Sequence, residues 1–349
     1  MRTTERGRRR PPLTDTHVTL AHGAGGKSSA ALTEAVFLPA FGNPALDLLG
    51  DSAVLDVASG VRLAFSTDSY VVSPIRFPGG SIGHLAVHGT VNDLAVAGAV
   101  PRWLSAAFVL EEGVAVQTLR EVVADMRAAA SDAGVEIVAG DTKVVPRGAA
   151  DLLYVTTAGV GVVPAGRHLG AHLVRPGDAV VLSGSMGRHG MAVMLARDEL
   201  AIEADITSDT AALNGLVEAL LAAVPGTRWM RDATRGGVGT VANELARASG
   251  LGVVLQEERL PVQPVVRGAC DLLGIDPIYV ANEGLLVAVV PAPDADAAVQ
   301  ALRASPLGSD AVVVGEVVDG PAGLVAMRTT FGGTRLVDLL VGDPLPRIC

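Results

Sequence analysis

Apolar positions along the chain alternate between two spacings. Short β-prone runs at Val61–Ser66, Val135–Ala139, Leu152–Val163, Asp178–Ser183, Leu285–Val290, 312–318 and 324–329 predict strands. Between them, apolar residues recur three and four apart. Leu119, Val122, Val123, Met126 and Ala130 predict a helix ending near Gly134. Further helices are expected through Met191–Leu195, over 208–224 with Ser208 or Asp209 as N-cap, and at 238–248, 262–273 and 294–304. Leu336–Val341 reads as a last strand. The first half is therefore an α/β unit and the second a mixture of strands and helices.

Punctuation divides the chain. Pro164 to Pro176 contains two glycines and marks a boundary. The expected organisation is a basic extension at 1–16, an N-terminal domain at 17–165, a C-terminal domain at 166–331, and a strand with a mobile tail at 332–349. Arg2, Arg6, Arg8, Arg9 and Arg10 precede Pro11-Pro12 with no apolar segment after them, so the extension is not a signal peptide.

Composition narrows the class. A chain of 349 residues, 49% hydrophobic but only 3% aromatic, builds its cores from Val, Ala and Leu and has length for two of them. No run of 18 apolar residues occurs, so no membrane span is expected. The net charge of −10 argues against a nucleic-acid surface. Cys270 and Cys349 cannot supply a disulfide framework, which fits a reducing cytoplasm. The histidines have no zinc-ligand spacing.

Candidate chemistry lies in carboxylates, glycines and the last cysteine. Asp51, Asp68, Asp93 and Asp141 interrupt apolar surroundings with glycines nearby; Asp68 and Asp141 are expected at strand ends and Asp93 in an Ala- and Val-rich helix. Hard oxygen ligands near a glycine-rich turn suit Mg²⁺ and nucleotide, the alternative being structural caps. His22-Gly-Ala-Gly25-Gly26 is such a turn, although it is neither a Walker A nor a dinucleotide fingerprint. Arg231-Asp232-Ala-Thr-Arg235-Gly-Gly precedes a helix and offers an anion site, or a cap with a surface ion pair. Glu283 beside Gly284 is a turn residue or an acid at a strand edge. Cys270, inside a helix, reads as a buried small hydrophobe. Gly342 to Cys349 is a short arm stiffened by Pro344 and Pro346, reaching at most about 26–29 Å with a thiol at its tip. The alternative is a frayed terminus.

In order, His22-Gly-Ala-Gly-Gly26, Thr67-Asp-Ser-Tyr70, Gly89-Thr-Val-Asn92-Asp93-Leu94, Gly140-Asp141-Thr142-Lys143-Val-Val145, Arg231-Asp-Ala-Thr-Arg-Gly-Gly237, Tyr279-Val-Ala-Asn-Glu-Gly284 and Pro346-Arg-Ile-Cys349 resemble the HypE family of hydrogenase maturation proteins. The resemblance covers the chain from His22 to Cys349, with one departure, Ala233 in place of proline. It implies an α/β plus α+β, two-domain fold like aminoimidazole ribonucleotide synthetase, with a flexible C-terminal tail and an N-terminal sheet that pairs in a homodimer. It also implies ATP-dependent dehydration of a carbamoyl group on the Cys349 thiol, S-carboxamide to S-cyanate, yielding the cyanide ligand of the [NiFe] centre. The implied partners are the carbamoyltransferase HypF and an iron-carrying HypC–HypD complex.

The implied metal ligands are Asp51, Asp68, Asp93, Asp141 and Asp232. ATP would be held by Gly25, Gly26, Asp68, Asn92, Asp93, Gly140, Asp141, Thr142 and Arg235. Cys349 would carry the group, with Glu283 as first choice of base and Lys143 as base or phosphate contact. Two alternatives use the same acids: a small-molecule kinase or synthase of the ATP-binding superfamily, which needs no tail cysteine, and a non-catalytic nucleotide-gated scaffold.

Overall fold

A computed structural model describes residues 15–349 apart from 24, 59, 198–203, 341, 343, 344 and 346. The basic extension up to residue 14 and the two tail prolines therefore lie outside the described residues. Two sheets organise the rest. The first has five strands in the order Ala53–Ala58, Val61–Tyr70, Leu153–Val163, Val100–Glu111 and Glu136–Val145. Only the last pair is parallel, joined by the helix Val116–Ala133, which stops at Gly134 in the left-handed conformation (φ 69°).

Strict alternation in Leu153–Val163 fixes its two faces. Its odd-numbered residues are buried against the helix Ile82–Val96, and its even-numbered ones point to the opposite side. That helix is buried on nearly every side, because it is also covered by the second half of the chain: Ala95 and Val96 join the cluster around Leu213, Leu216 and Leu220. No helix of the chain covers the other side of the sheet among the described residues. There Phe65, Val160 and Trp103 form one row across three strands. Leu55, Val57, Phe65 and Trp103 stay 42–54% exposed, a large apolar surface for a lone chain.

The second sheet runs Thr334–Leu336, Val325–Arg328, Gly252–Gln256, Val312–Val318, Ala179–Leu182, Leu286–Val290 and Trp229–Asp232. It is covered on both faces. Gly237–Ser249 packs Val238, Val241 and Leu245 on one, while Asn214–Ala223 and Ala295–Arg303 pack Leu216, Leu220, Ala298 and Leu302 on the other. Its central strands Ala179–Leu182 and Leu286–Val290 are therefore buried at every residue.

Three expectations are corrected. Asp68 and Asp141 do not close their strands but lie inside Val61–Tyr70 and Glu136–Val145, because the ladders run on through polar residues. The helix expected from 208 begins only at Asn214, so neither Ser208 nor Asp209 caps it. Of the run expected from Leu336 only Leu336 itself joins the sheet, as the end of the strand Thr334–Leu336, after which the chain leaves to meet the glycine-rich turn: Lys27 N–H donates to the Leu340 carbonyl at 3.0 Å.

Candidate active site

Asp51, Asp93 and Asp232 converge from three elements. Asp51 precedes the first strand, Asp93 projects from the buried helix, and Asp232 ends the edge strand of the second sheet. Their carboxylate oxygens lie within 4.8 Å of one another. Asp68, on the neighbouring strand, adjoins them and accepts a hydrogen bond from Tyr70 Oη at 3.2 Å. Ser66 Oγ sits 2.5 Å from the Asp93 carboxylate and 2.9 Å from the Asp51 carbonyl, pinning both acids to the strand that carries Asp68.

Positive charge in the cluster is sparse. Arg231 reaches Asp51 at 2.6 Å and Glu244 at 3.1 Å. Burial first, and then repulsion from Asp68, Asp232 and Asp51, pushes the Asp93 carboxyl well above the ordinary carboxylate range. Asp232 is pushed well up by burial and by Asp51, and Asp51 and Asp68 are raised, mainly by burial. Three half-buried to buried acids whose hard oxygen donors face one another, with Asp68 beside them, fit a divalent cation.

A cavity of about 290 Å³ adjoins the cluster, lined by His22, Gly23, Gly25, Ser29, Arg231, Asp232, Thr234, Arg235, Thr240, Val241 and Glu244. The expected glycine turn and the 231–237 motif thus meet across one space, and Arg235 donates to the Gly23 carbonyl. Gly237 has φ 58°, and a Cβ there would lie 2.6 Å from two carbonyls, so glycine is required at the start of the helix that opens on this cavity. Thr240 Oγ1 is buried there without a partner.

Other expected residues have different surroundings. Asn92 is buried and spends its amide on the chain, accepting from Leu213 N–H at 2.7 Å and donating to the Ala211 carbonyl at 3.0 Å. Gly140 is a packing glycine: a Cβ would meet the Ala106 carbonyl at 2.6 Å. Asp141, Thr142 and Lys143 follow it on the edge strand of the first sheet. Asp141 and Lys143 are exposed and paired at 2.6 Å, which holds the Asp141 carboxyl below its usual range. Register puts Asp141 beside Ala107 and Thr156, and Lys143 beside Val109 and Tyr154, on the uncovered face of that sheet.

Glu283 is buried, and its Oε1 has no hydrogen-bond partner. Burial, then Asp232, Asp209 and Asp68, pushes its carboxyl well up. Its backbone is held: Asp209 accepts from Glu283 N–H at 3.2 Å and from Gly284 N–H at 3.3 Å. Burial raises Asp209 itself to about 6.

The tail end is seated. Val71 N–H donates to the Cys349 main-chain oxygen and Ser73 N–H to the Arg347 carbonyl, each at 3.1 Å, so 347–349 runs antiparallel to 71–73. Arg347 donates to the Val71 carbonyl and pairs with Asp151 at 2.5 Å. Leu345 and Ile348 are buried in an apolar cluster to which both halves of the chain contribute, and Cys349 packs at its edge. Ser66, Asp209 and the seat of the tail on 71–73 are not legible as functional from the sequence, whereas Arg231 belongs to the motif already read as an anion site.

Comparison with known proteins gives a consistent picture. Residues 49–163 match the AIR synthase related protein N-terminal domain, and residues 175–327 the corresponding C-terminal domain. The chain is 54% identical over 341 residues to carbamoyl dehydratase HypE of Rhodobacter capsulatus, covering 97% of this chain and 99% of that one. A crystal structure of a HypE–HypF complex superposes with a TM-score of 0.84 at 44% identity, covering 89% of this chain and 100% of the other. A HypE crystal structure in complex with ATP gives 0.80 at 47% identity, covering 95% and 99%.

Proposed function

The chain belongs to the HypE family of carbamoyl dehydratases, and from that premise we propose that it dehydrates a carbamoyl group carried on the Cys349 thiol, using ATP, in hydrogenase maturation. The observation that carries the reading is the seating of Cys349 on Val71, the residue just past the end of the strand Val61–Tyr70 and three residues from Asp68 of the acid cluster.

In this reading the carbamoyltransferase HypF loads the thiol as S–C(=O)–NH₂. The amide oxygen attacks the γ-phosphorus of ATP and ADP leaves. The C–O bond then breaks with loss of inorganic phosphate, nitrogen gives up its protons, and S–C≡N forms. The net change is ATP plus thiocarboxamide to thiocyanate, ADP, phosphate and a proton. The cyanide then passes to iron on a HypC–HypD complex.

The chain's part is to bind, orient and take a proton. Asp51, Asp93 and Asp232, with Asp68 beside them, are the residues that would hold Mg²⁺. When bound, the ion supplies neutralisation of phosphate charge. Gly23, Gly25 and Arg235, with Thr240 from the first turn of the helix that starts at Gly237, line the space offered to the nucleotide, where backbone N–H groups and a guanidinium suit phosphate oxygens; Gly26 packs instead against the Leu340 carbonyl. Glu283 is the base of choice: its Oε1 is unpartnered, its peptide is fixed by Asp209, and its raised proton affinity suits a weakly acidic N–H.

Asp141 and Lys143 join the site through a second copy. The uncovered sheet face, with Phe65 and Trp103 exposed and the Asp141–Lys143 pair on its edge strand, supports a homodimer that pairs these faces. Lys143 would then meet phosphate.

The test follows the mass of the tryptic C-terminal peptide. After HypF and its carbamoyl donor, the peptide should gain one carbamoyl group; after Mg²⁺ and ATP it should lose one water. A C-terminal peptide that stays unmodified while the Cys270 peptide gains mass would overturn the assignment.

A further inference from the structure

His189, on the helix Arg188–Leu195, belongs to none of the catalytic roles above and is fully buried. Its two ring nitrogens have different partners. Nδ1 lies 2.8 Å from Ser208 Oγ, and Nε2 lies 2.6 Å from the Ile348 carbonyl. Ser208 Oγ already accepts the Thr210 N–H at 3.0 Å, so its own proton is free to be donated to Nδ1. The tautomer follows: Nδ1 accepts, and Nε2 carries the hydrogen that is donated to Ile348. Phe77 meets the ring edge-on at a centroid distance of 5.3 Å, which fixes its plane. Burial lowers the ring's proton affinity to about 4, so the neutral form this arrangement needs is the one present at neutral pH.

The same turn reaches the base. Ser208 holds the ring, and Asp209, the next residue, holds the peptide N–H groups of Glu283 and Gly284. Arg197, two residues beyond the helix, donates to the Ser73 and Arg347 carbonyls at 3.0 and 3.1 Å and so ties the tail to the segment it pairs with.

We propose that His189 is a positioning residue: with the Ser208–Asp209 turn it registers the last residues of the tail against Glu283, so that a group on Cys349 is presented to the base in one position. The catalytic consequence rests on the carrier reading of Cys349; the docking role does not.

Full-length His189→Phe keeps a ring against Phe77 but has no N–H for Ile348, whereas His189→Gln keeps a donor near the Nε2 position. The first readout, without partner or nucleotide, is the rate of Cys349 labelling by iodoacetamide, with buried Cys270 as an internal control of folding. In His189→Phe, Cys349 labelling should rise about three- to tenfold, the effect of one lost hydrogen bond. It should return to within about twofold of wild type in His189→Gln. The second readout is single-turnover conversion of preloaded thiocarboxamide, which should slow in His189→Phe by a similar factor while carbamoyl uptake and ATP affinity hold. Wild-type labelling of Cys349 in His189→Phe overturns the proposal, as does an equal rise in both variants. Should His189→Phe expose Cys270, Ser208→Ala decides instead, and unchanged Cys349 labelling there is equally fatal. Faster labelling with no thiocyanate from any variant, wild type included, would sink the carrier reading and leave the docking role standing.

Discussion

Two groups of aspartates in this molecule have the same side chain and opposite physics. Asp51, Asp93 and Asp232 crowd together out of water, and their carboxyls are pushed up by burial and by one another. Asp141 stands in solvent on an edge strand with Lys143 against it, and its carboxyl is held down. The first group is costly to the fold and suited to a cation; the second is already satisfied. A carboxylate's role is therefore set by what surrounds it, and crowded acids mark a site whose charge suits a cation.

The largest expected effect tests the buried group through its neighbour. Glu283→Gln should slow thiocyanate formation by about 10²–10⁴-fold, while ATP still binds and carbamoyl is still accepted. Intact mass should then stall at the thiocarboxamide. Formation at the wild-type rate would make Glu283 a turn residue and Lys143 the leading base.

Asp93→Asn should separate function from stability. Calorimetric affinity for Mg²⁺ with ATP should fall by about tenfold or more. Without ligand, the same variant should gain about 0.5–2 kcal/mol in urea unfolding, since one buried like charge is gone. A variant that loses both would mean that Asp93 braces the helix rather than serving a cation.

The pH dependence sharpens the contrast. A carboxyl raised in the folded state costs nothing below its unfolded value near 4, and costs progressively more as pH rises toward its folded value. His88 and His189, lowered to about 4 by burial, act the other way: they cost stability as pH falls below 6.5. Above about pH 6.5 the histidines are silent. Where the histidines are silent, a remaining fall in stability with rising pH belongs to the raised acids, and Asp93→Asn should flatten that slope in urea titrations. Equal slopes would remove the buried acids from the account.

The exposed group should give the smallest effect on the fold. Asp141→Asn should leave the thermal midpoint unchanged and weaken nucleotide binding only in the dimer. Trp103→Glu, on the same face, should shift the protein to monomer by light scattering.

Local patterning made most elements legible, because burial on one face leaves period-2 and period-3.6 traces in the sequence. Leu153–Val163 and Val116–Ala133 are examples. Polar residues inside strands hid the continuation of two ladders past Ser66 and Ala139, and with it the setting of Asp68 and Asp141. Ser208 and Asp209 resemble caps because short polar side chains bind nearby backbone, yet their partners here are His189, Thr210 and the Glu283 peptide. Spacing cannot reveal a pairing between residues 189 and 348, or between 71 and 349. The convergence of Asp51, Asp93 and Asp232 is likewise a product of the chain's folding, since each comes from a different element.

The uncovered sheet face has a genetic consequence. If each site takes Asp93 from one chain and Asp141 from its mate, activity becomes a property of pairs, second order in chain concentration at low expression. A gene encoding Asp93→Asn and another encoding Asp141→Asn would each be silent alone. Expressed together, their mixed pair would carry one site with both lesions and one with neither, so two dead alleles would restore a working maturation step.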